Sequence, residues 1–436
     1  MHWTLANSTR PSGGLFVTLN RRKPSSYARH VGANYAWRRG CYDTVLNQSC
    51  LALNFAEYGL LESSVTDCLI VGGGVVGLSL AYELAGRGLA ITLIDHQEVG
   101  REASWAGAGM LPPGSWYTNH PVMEELASFG GELNRQWSQQ LLETTGIDNE
   151  WNVCGGAYVA SSDEQMALFA TIFDRWSRRG IQVESIDATR LTDLEPSLGT
   201  LPQQLANIRG GYYLPEEGQL RNPRHMRALL QGCLTRGVRV SAPCRITELQ
   251  ATGGLVQGVT TDQGTIACDQ ILLAAGAWSS RLAKIWGFSL PVRPVRGQII
   301  LYPPQPSPLF KGNVHLDTLY AVQRRDGRLL VGATVEEAGF DKSTTTAGIR
   351  SLQNWATKVC PPLEHLTCER QWAGLRPASS DGLPYIGLAP RYSNLWVAAG
   401  HYRAGIQFAA VTAQVLADRV TGQPSPFDLH PFRLDR

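Results

Sequence analysis

Residues 67–95 read DCLIVGGGVVGLSLAYELAGRGLAITLID. Two short apolar runs, Cys68 to Val71 and Ile91 to Ile94, have the unbroken hydrophobicity of buried parallel strands. Between them Gly72, Gly74 and Gly77 fit G-x-G-x-x-G, and Val75 and Val76 stand at the opening of the helix that follows. Gly72 permits the tight turn, Gly74 lets backbone approach a pyrophosphate, and Gly77 lets helix pack closely on strand. Phosphates then rest on the helix N-terminus. Asp95, at the end of the second strand and eighteen residues beyond Gly77, suits a ribose hydroxyl pair. The spacing predicts a dinucleotide-binding βαβ unit. NAD and FAD share this fingerprint, so it leaves the choice between them open.

The stretch after Asp95, HQEVGREASWAGAGMLPP (96–113), is rich in small residues from Ala103 to Gly109. Many FAD enzymes pass such a segment along the ribityl chain and the flavin, whereas an NAD site usually continues into another βα unit. Ser104, Ala108, Gly109 and Met110 are its candidate contacts. Further on, LRNPRHMRALLQGCLTRGVRV predicts a helix with Asn222 as N-cap, Pro223 as first helical residue and Gly237 as stop, followed by a strand. A hairpin turning at Asp262 to Gly264 leads to a buried strand, Ile271 to Leu273. It ends in Ala274-Ala275-Gly276, where Ala275 and Gly276 admit close approach of a backbone or cofactor. From Pro291 to Gly339 the pattern changes to antiparallel strands, with an Asp-Gly turn at Asp326 and Gly327 and no helix, as expected of a separate inserted sheet.

Bulk properties bound the function. At 436 residues about two or three compact units are expected. With 39 basic against 37 acidic residues there is no one-sided field for nucleic acid or an acidic membrane surface, which favours a small molecule as partner. Nine cysteines stand singly, without CxxC pairs or Cys/His clusters, which argues for reduced thiols in a cytoplasmic setting and against a metal site. No run of eighteen apolar residues exists to span a bilayer. From Met1 to Tyr42 there are seven Lys or Arg and no acid. Such a segment fits a disordered tail, sequence upstream of the true start, or an organelle transit peptide.

Near the end, WAGLRPASSDGLPYIG (372–387) places Arg376 among small and apolar residues, with no acid before Asp381. Pro377 biases it to an extended conformation, and its planar fork suits either a carboxylate ligand or an internal salt bridge. In GHYRAGIQFAAVTAQVLADRV (400–420), Gly400 and Gly405 precede an apolar helix starting near Ile406. Such a helix closes the nucleotide domain at its far end, and a buried helix that also aims its N-terminus at a flavin pyrimidine would stabilise the negative charge that builds there on reduction.

From about Asp67 onward the chain resembles the glycine oxidase branch of the D-amino acid oxidase family. The stretches carrying the resemblance are VGGGVVGLSLAYELAGRG, ASWAGAGMLPP, VRGQI, LYAVQRRDGRLLVGAT, WAGLRPASSDGLPYIG and GHYRAGIQFAAVTAQ, in that order. The resemblance implies an α/β fold: an FAD-binding Rossmann-like domain of the glutathione-reductase type (66–112, 206–290 and 371–436) with an inserted antiparallel-sheet α+β substrate domain (113–205 and 291–370), after an extension at 1–65. It implies that Arg376 grips a substrate α-carboxylate, helped by Tyr320 and Arg403. Gly400, His401, Gly405 and Ile406 then belong to the flavin side. The FAD is expected to be noncovalent, because no cysteine follows Cys368. The implied reaction is oxidation of a small amino acid, glycine foremost, by dioxygen to imine, glyoxylate, ammonia and hydrogen peroxide. A thiazole synthase of thiamine biosynthesis as receiver of the imine, and a homo-oligomer, remain open. The alternatives are a dehydrogenase of the same fold that passes electrons to a quinone, and an NAD-dependent dehydrogenase.

Overall fold

A computed structural model describes residues 66–116, 120–200 and 208–436; the extension at 1–65 lies outside the described residues. The quoted fingerprint folds as its pattern dictates. β1 (Thr66–Val71) and β2 (Ile91–Ile94) pair in parallel, joined through α1 (Val75–Gly86). Gly72 turns at φ 113°, and a Cβ there meets the Ala274 carbonyl at 2.5 Å. At Gly77 an added Cβ falls 1.8 Å from the Gly72 oxygen, so helix and turn touch backbone to backbone.

The remaining strands are β3 (Met110–Leu111), β4 (Asn152–Val153), β5 (Gly156–Ala160), β6 (Glu184–Ile186), β7 (Gly210–Leu214), β8 (Gly218–Gln219), β9 (Arg239–Ser241), β10 (Ile246–Thr252), β11 (Leu255–Thr261), β12 (Gly264–Leu273), β13 (Val292–Tyr302), β14 (Asn313–Leu316), β15 (Leu319–Gln323), β16 (Leu329–Gly332), β17 (Arg370–Ser379), β18 (Tyr385–Leu388) and β19 (Leu395–Ala399). The first sheet runs β10-β11-β12-β1-β2-β9, with β19 beside β12 and β18 beside β19. Strand β12 pairs antiparallel with β11 over its first half and parallel with β1 and β19 over its second. The second sheet, β17-β13-β16-β15-β14-β5-β7-β6, is antiparallel except at β14 against β5. By sheet membership β7 and β17 lie with the second sheet, within the segments 206–290 and 371–436 that the sequence reading assigns to the FAD-binding domain. β17 finds its partner in the whole length of β13, from Val292↔Ser379 to Leu301↔Arg370, and the chain leaves this sheet only after Ser379.

The other helices are α2 (Ala103–Ala106), α3 (Pro121–Thr145), α4 (Asp163–Arg178), α5 (Ala188–Leu194), α6 (Asn222–Thr235), α7 (Ser279–Ile285), α8 (Thr346–Val359) and α9 (Gly405–Val420). α9 is buried almost all round and packs with α1 into one apolar core that includes Leu78, Ala81, Phe408 and Val411. α6 begins one residue earlier than expected. Arg221 is its N-cap, and the Asn222 side chain caps nothing. Fully buried, it donates from Nδ2 to the Ser104 carbonyl (2.7 Å), because α2 is a single turn and needs an outside donor for its carbonyls.

Candidate active site

One cavity of about 770 Å³ is lined by elements of both sheets. Of the residues singled out from sequence, Gly72, Gly74, Val75, Val76, Asp95, Ser104, Ala108, Gly109, Met110, Ala275, Gly276, Gly400, His401, Gly405 and Ile406 line it, and so do Arg376, Tyr320 and Arg403. Gly77 does not: its place is behind the wall, against Gly72.

At one end the α1 N-terminus opens on the cavity with no side-chain cap at Gly74. An added Cβ at Gly74 meets only Ser104 Oγ, at 3.4 Å, and at Gly276 it meets nothing. These glycines therefore leave bare backbone beside open space, which suits a phosphate ligand held by N–H groups. Ser104 Oγ accepts from Val75 N–H (2.9 Å), and Asp95 Oδ2 accepts from Gly73 N–H (2.7 Å), fixing the turn from both sides. The α9 N-terminus, likewise without a side-chain cap, opens on the same cavity. Two positive helix ends along one cavity match a ligand that carries a pyrophosphate and a ring able to take negative charge. His401 is turned inward, its Nε2 3.0 Å from Thr412 Oγ1, and burial pushes its pKa down to about 4, so the ring is neutral near pH 7.

The other end is built on the second sheet. Residues directly opposite on neighbouring strands share a face, and the cavity face reads Tyr158, His315, Tyr320, Gly332, Ile299 and Trp372 from β5 across to β17. Further along, Gly297 and Arg376 stand on that face. An added Cβ at Gly297 meets the Arg376 guanidinium at 2.2 Å, so the fork lies flat over this glycine. Arg376 Nη1 donates to the Thr334 carbonyl (2.9 Å) and to the Arg296 carbonyl (3.4 Å), which tethers one arm of the fork to backbone. A Cβ at Gly332 meets the Tyr320 hydroxyl at 2.8 Å, so the ring lies over that glycine in the same way. Burial raises the Tyr320 pKa, and the charges of Arg376, Arg403 and Arg324 pull against that rise. The phenol stays protonated and can donate.

Sequence reasoning missed three groups. Arg324, 7% exposed, donates to Gln219 Oε1, Leu220 O and Ala108 O, which holds the small-residue segment to the hairpin of the second sheet. Burial lowers its pKa to about 10, still well above neutrality. The others are His315 and the fully buried Glu217 behind it. Only Arg324 had a legible signal: an arginine ahead of an Asp-Gly turn, inside an apolar hairpin.

The chain matches the FAD dependent oxidoreductase family (DAO) over residues 67–419. It is 36% identical to a glycine oxidase of Pseudomonas putida over 366 residues, 84% of this chain and 97% of that protein. The crystal structure of glycine oxidase from Geobacillus kaustophilus superposes with a TM-score of 0.81 at 31% identity, covering 86% of this chain and 99% of that one. A cyanobacterial relative, the bifunctional protein ThiO/ThiG of Nostoc sp., is 32% identical; the match spans 85% of this chain and 55% of that protein. With the glycine turn, the two helix ends and the full-length similarity together, the chain belongs to the family of FAD-dependent oxidoreductases that carries the DAO domain.

Proposed function

We propose that this flavoenzyme oxidises a small amino acid, glycine foremost, to its imine with dioxygen as acceptor. The observation that carries the reading is the pairing of Arg376, laid over Gly297, with Tyr320, laid over Gly332, at the end of the cavity remote from the glycine turn. A guanidinium and a phenol hydroxyl converging on one space suit a carboxylate, which takes two-point contacts from the fork and a further hydrogen bond from the phenol. Arg403 adds positive charge at the same end. The small-residue segment and the α9 N-terminus are the places for the flavin, so the α-carbon of a substrate held by Arg376 faces it.

FAD, when bound, supplies the acceptor for the α-hydrogen and its two electrons, and dioxygen takes these up as hydrogen peroxide. The chain's own groups act by placement. Fixing the carboxylate at two points leaves the α-carbon few orientations, and such positioning accounts for a large part of a rate enhancement. No base on carbon is required. The regions about the first sheet are read as the cofactor-binding part and those about the second as the substrate-binding part. The imine hydrolyses to glyoxylate and ammonia, or passes to a thiazole synthase; the fused ThiO/ThiG relative supports that second route.

Peroxide release on mixing the yellow protein with glycine tests the reading. Turnover with a quinone and none with dioxygen would replace it by the dehydrogenase alternative. Gly297→Ala supplies a finer test. The added methyl must push the Arg376 fork aside, and a displacement of about 1 Å costs up to roughly 100-fold in kcat/KM. Flavin content stays normal, because Gly297 is on the second sheet and the three atoms nearest its added Cβ all belong to Arg376.

A further inference from the structure

We propose that His315, held by Glu217, takes the proton from the substrate's ammonium group and so readies the amine for oxidation. This rests on the amino acid reading above.

An amino acid enters near neutral pH as a zwitterion, and an ammonium nitrogen has no lone pair with which to form an imine. One N–H bond must break first, its electron pair staying on nitrogen and its proton going to an acceptor. Among the described residues the cavity offers a built one. Glu217, on the turn before β8, is 0% exposed. It accepts from the Tyr158 hydroxyl (2.6 Å) and the Asn313 amide (2.8 Å), and lies 3.1 Å from His315 Nε2. A buried carboxylate needs donors, so Nε2 carries a hydrogen and Nδ1 is the basic nitrogen. His315 lines the cavity. The ring is clamped by Tyr158, stacked at 4.0 Å with an interplanar angle of 5°. The logic is that of a carboxylate orienting a catalytic imidazole: it sets the tautomer and stabilises the cation that forms.

The placement suits a zwitterion. His315 is opposite Tyr320 in the sheet, with ring centroids 6.4 Å apart, while Arg376 on β17 is on the far side of Tyr320 and the charge of Arg403 also acts on that phenol. The cavity is thus positive where the carboxylate is gripped and negative toward Glu217. With the carboxylate at Tyr320, an ammonium turned toward β14 has His315 as its neighbour, and a general base acts either in direct contact or through one water. Transfer leaves a neutral amine beside the arginines and an imidazolium beside Glu217, so no charge is left unpaired. The other groups facing His315 are Tyr158 of β5 and Tyr320 of β15; on its own hairpin Asp317 is exposed and accepts from Ser161.

The test is the rate of flavin reduction by glycine without oxygen, measured from about pH 6 to about pH 10. His315→Gln lowers the second-order rate roughly 100-fold near neutrality. The deficit shrinks as pH approaches the ammonium's own pKa, where free amine already exists in solution. Glu217→Gln, a change to a positioning residue, gives a smaller deficit with the same pH dependence; should that variant not fold, His315→Gln decides alone. Affinity for acetate, a carboxylate with no amine, is read from the flavin spectrum and stays unchanged. A deficit constant across pH, no deficit, or equal loss of acetate binding overturns the proposal. If glycine fails to reduce the wild-type flavin but another amino acid succeeds, the substrate choice falls and the same profile with that amino acid tests His315. If none reduces it, both readings fall.

Discussion

Arg376→Leu lowers kcat/KM for glycine by roughly thirty- to several-thousand-fold. The substitution removes a charge-assisted two-point contact worth on the order of 2–5 kcal/mol, much of it the cost of leaving a carboxylate without its partner. The arginine is half-buried on β17, and its backbone pairing with Val295 does not depend on the side chain, so the sheet tolerates leucine. Flavin content therefore stays normal. Arg376→Lys recovers only part of the loss, since a point charge cannot lie flat over Gly297 and reach both the Thr334 carbonyl and a ligand. Simple amines without a carboxylate are nearly indifferent to either change. Comparable kcat/KM losses for glycine and for an uncharged amine would show that Arg376 supports the fold or the flavin instead of the substrate.

The second and third glycines of the fingerprint separate folding from cofactor binding. Gly77→Ala places a methyl 1.8 Å from the Gly72 oxygen, backbone that cannot move without unseating β1 or α1. The expected cost, on the order of 3–5 kcal/mol, is a large share of a typical stability of about 5–15 kcal/mol. Soluble yield collapses, and what remains melts about 5 °C lower. Gly74→Val behaves otherwise. Gly74 has φ −73°, which valine adopts, and its Cβ meets only Ser104 Oγ at 3.4 Å. That variant folds and purifies colourless, because its side chain projects into the space where a pyrophosphate approaches. Thermal denaturation beside flavin absorbance distinguishes the two, and a Gly74→Val protein with stoichiometric flavin would remove the turn from the cofactor site.

These contrasts show which features a sequence can carry. The fingerprint was legible because its parts are close along the chain: strand, turn and helix are local, and each glycine answers a local demand. Arg376 stood out because Pro377 and its apolar neighbours leave a charged group with no nearby partner. Gly297, by contrast, lies in the quoted VRGQI yet gives no sign that it must be bare. That need appears only with the register that sets β13 against β17 and brings Arg376 over it. His315 and Glu217 are 98 positions apart, and what joins them is the pairing of β14 with β5 and of β5 with β7, after which Glu217 follows, a long-range choice that no local periodicity encodes. Asn222 shows the converse: a sound local rule for helix starts was overridden by a carbonyl at Ser104, 118 positions upstream.

The interleaving of the first sheet bears on how the chain is made. β1 leaves the ribosome early, but its second neighbour, β12, follows about two hundred residues later, at Thr66↔Cys268, and α9 completes the core around α1 later still. Arg87 on the turn after α1 bonds Thr421 across 334 positions. At about 5–20 residues per second, the edge of β1 and the apolar face of α1 stay uncovered for tens of seconds during synthesis. A message that ends before α9 therefore yields a product with an unclosed sheet, prone to strand-edge association. For this chain, emergence of α9 from the ribosome and completion of the cavity wall that its N-terminus supplies are nearly the same event.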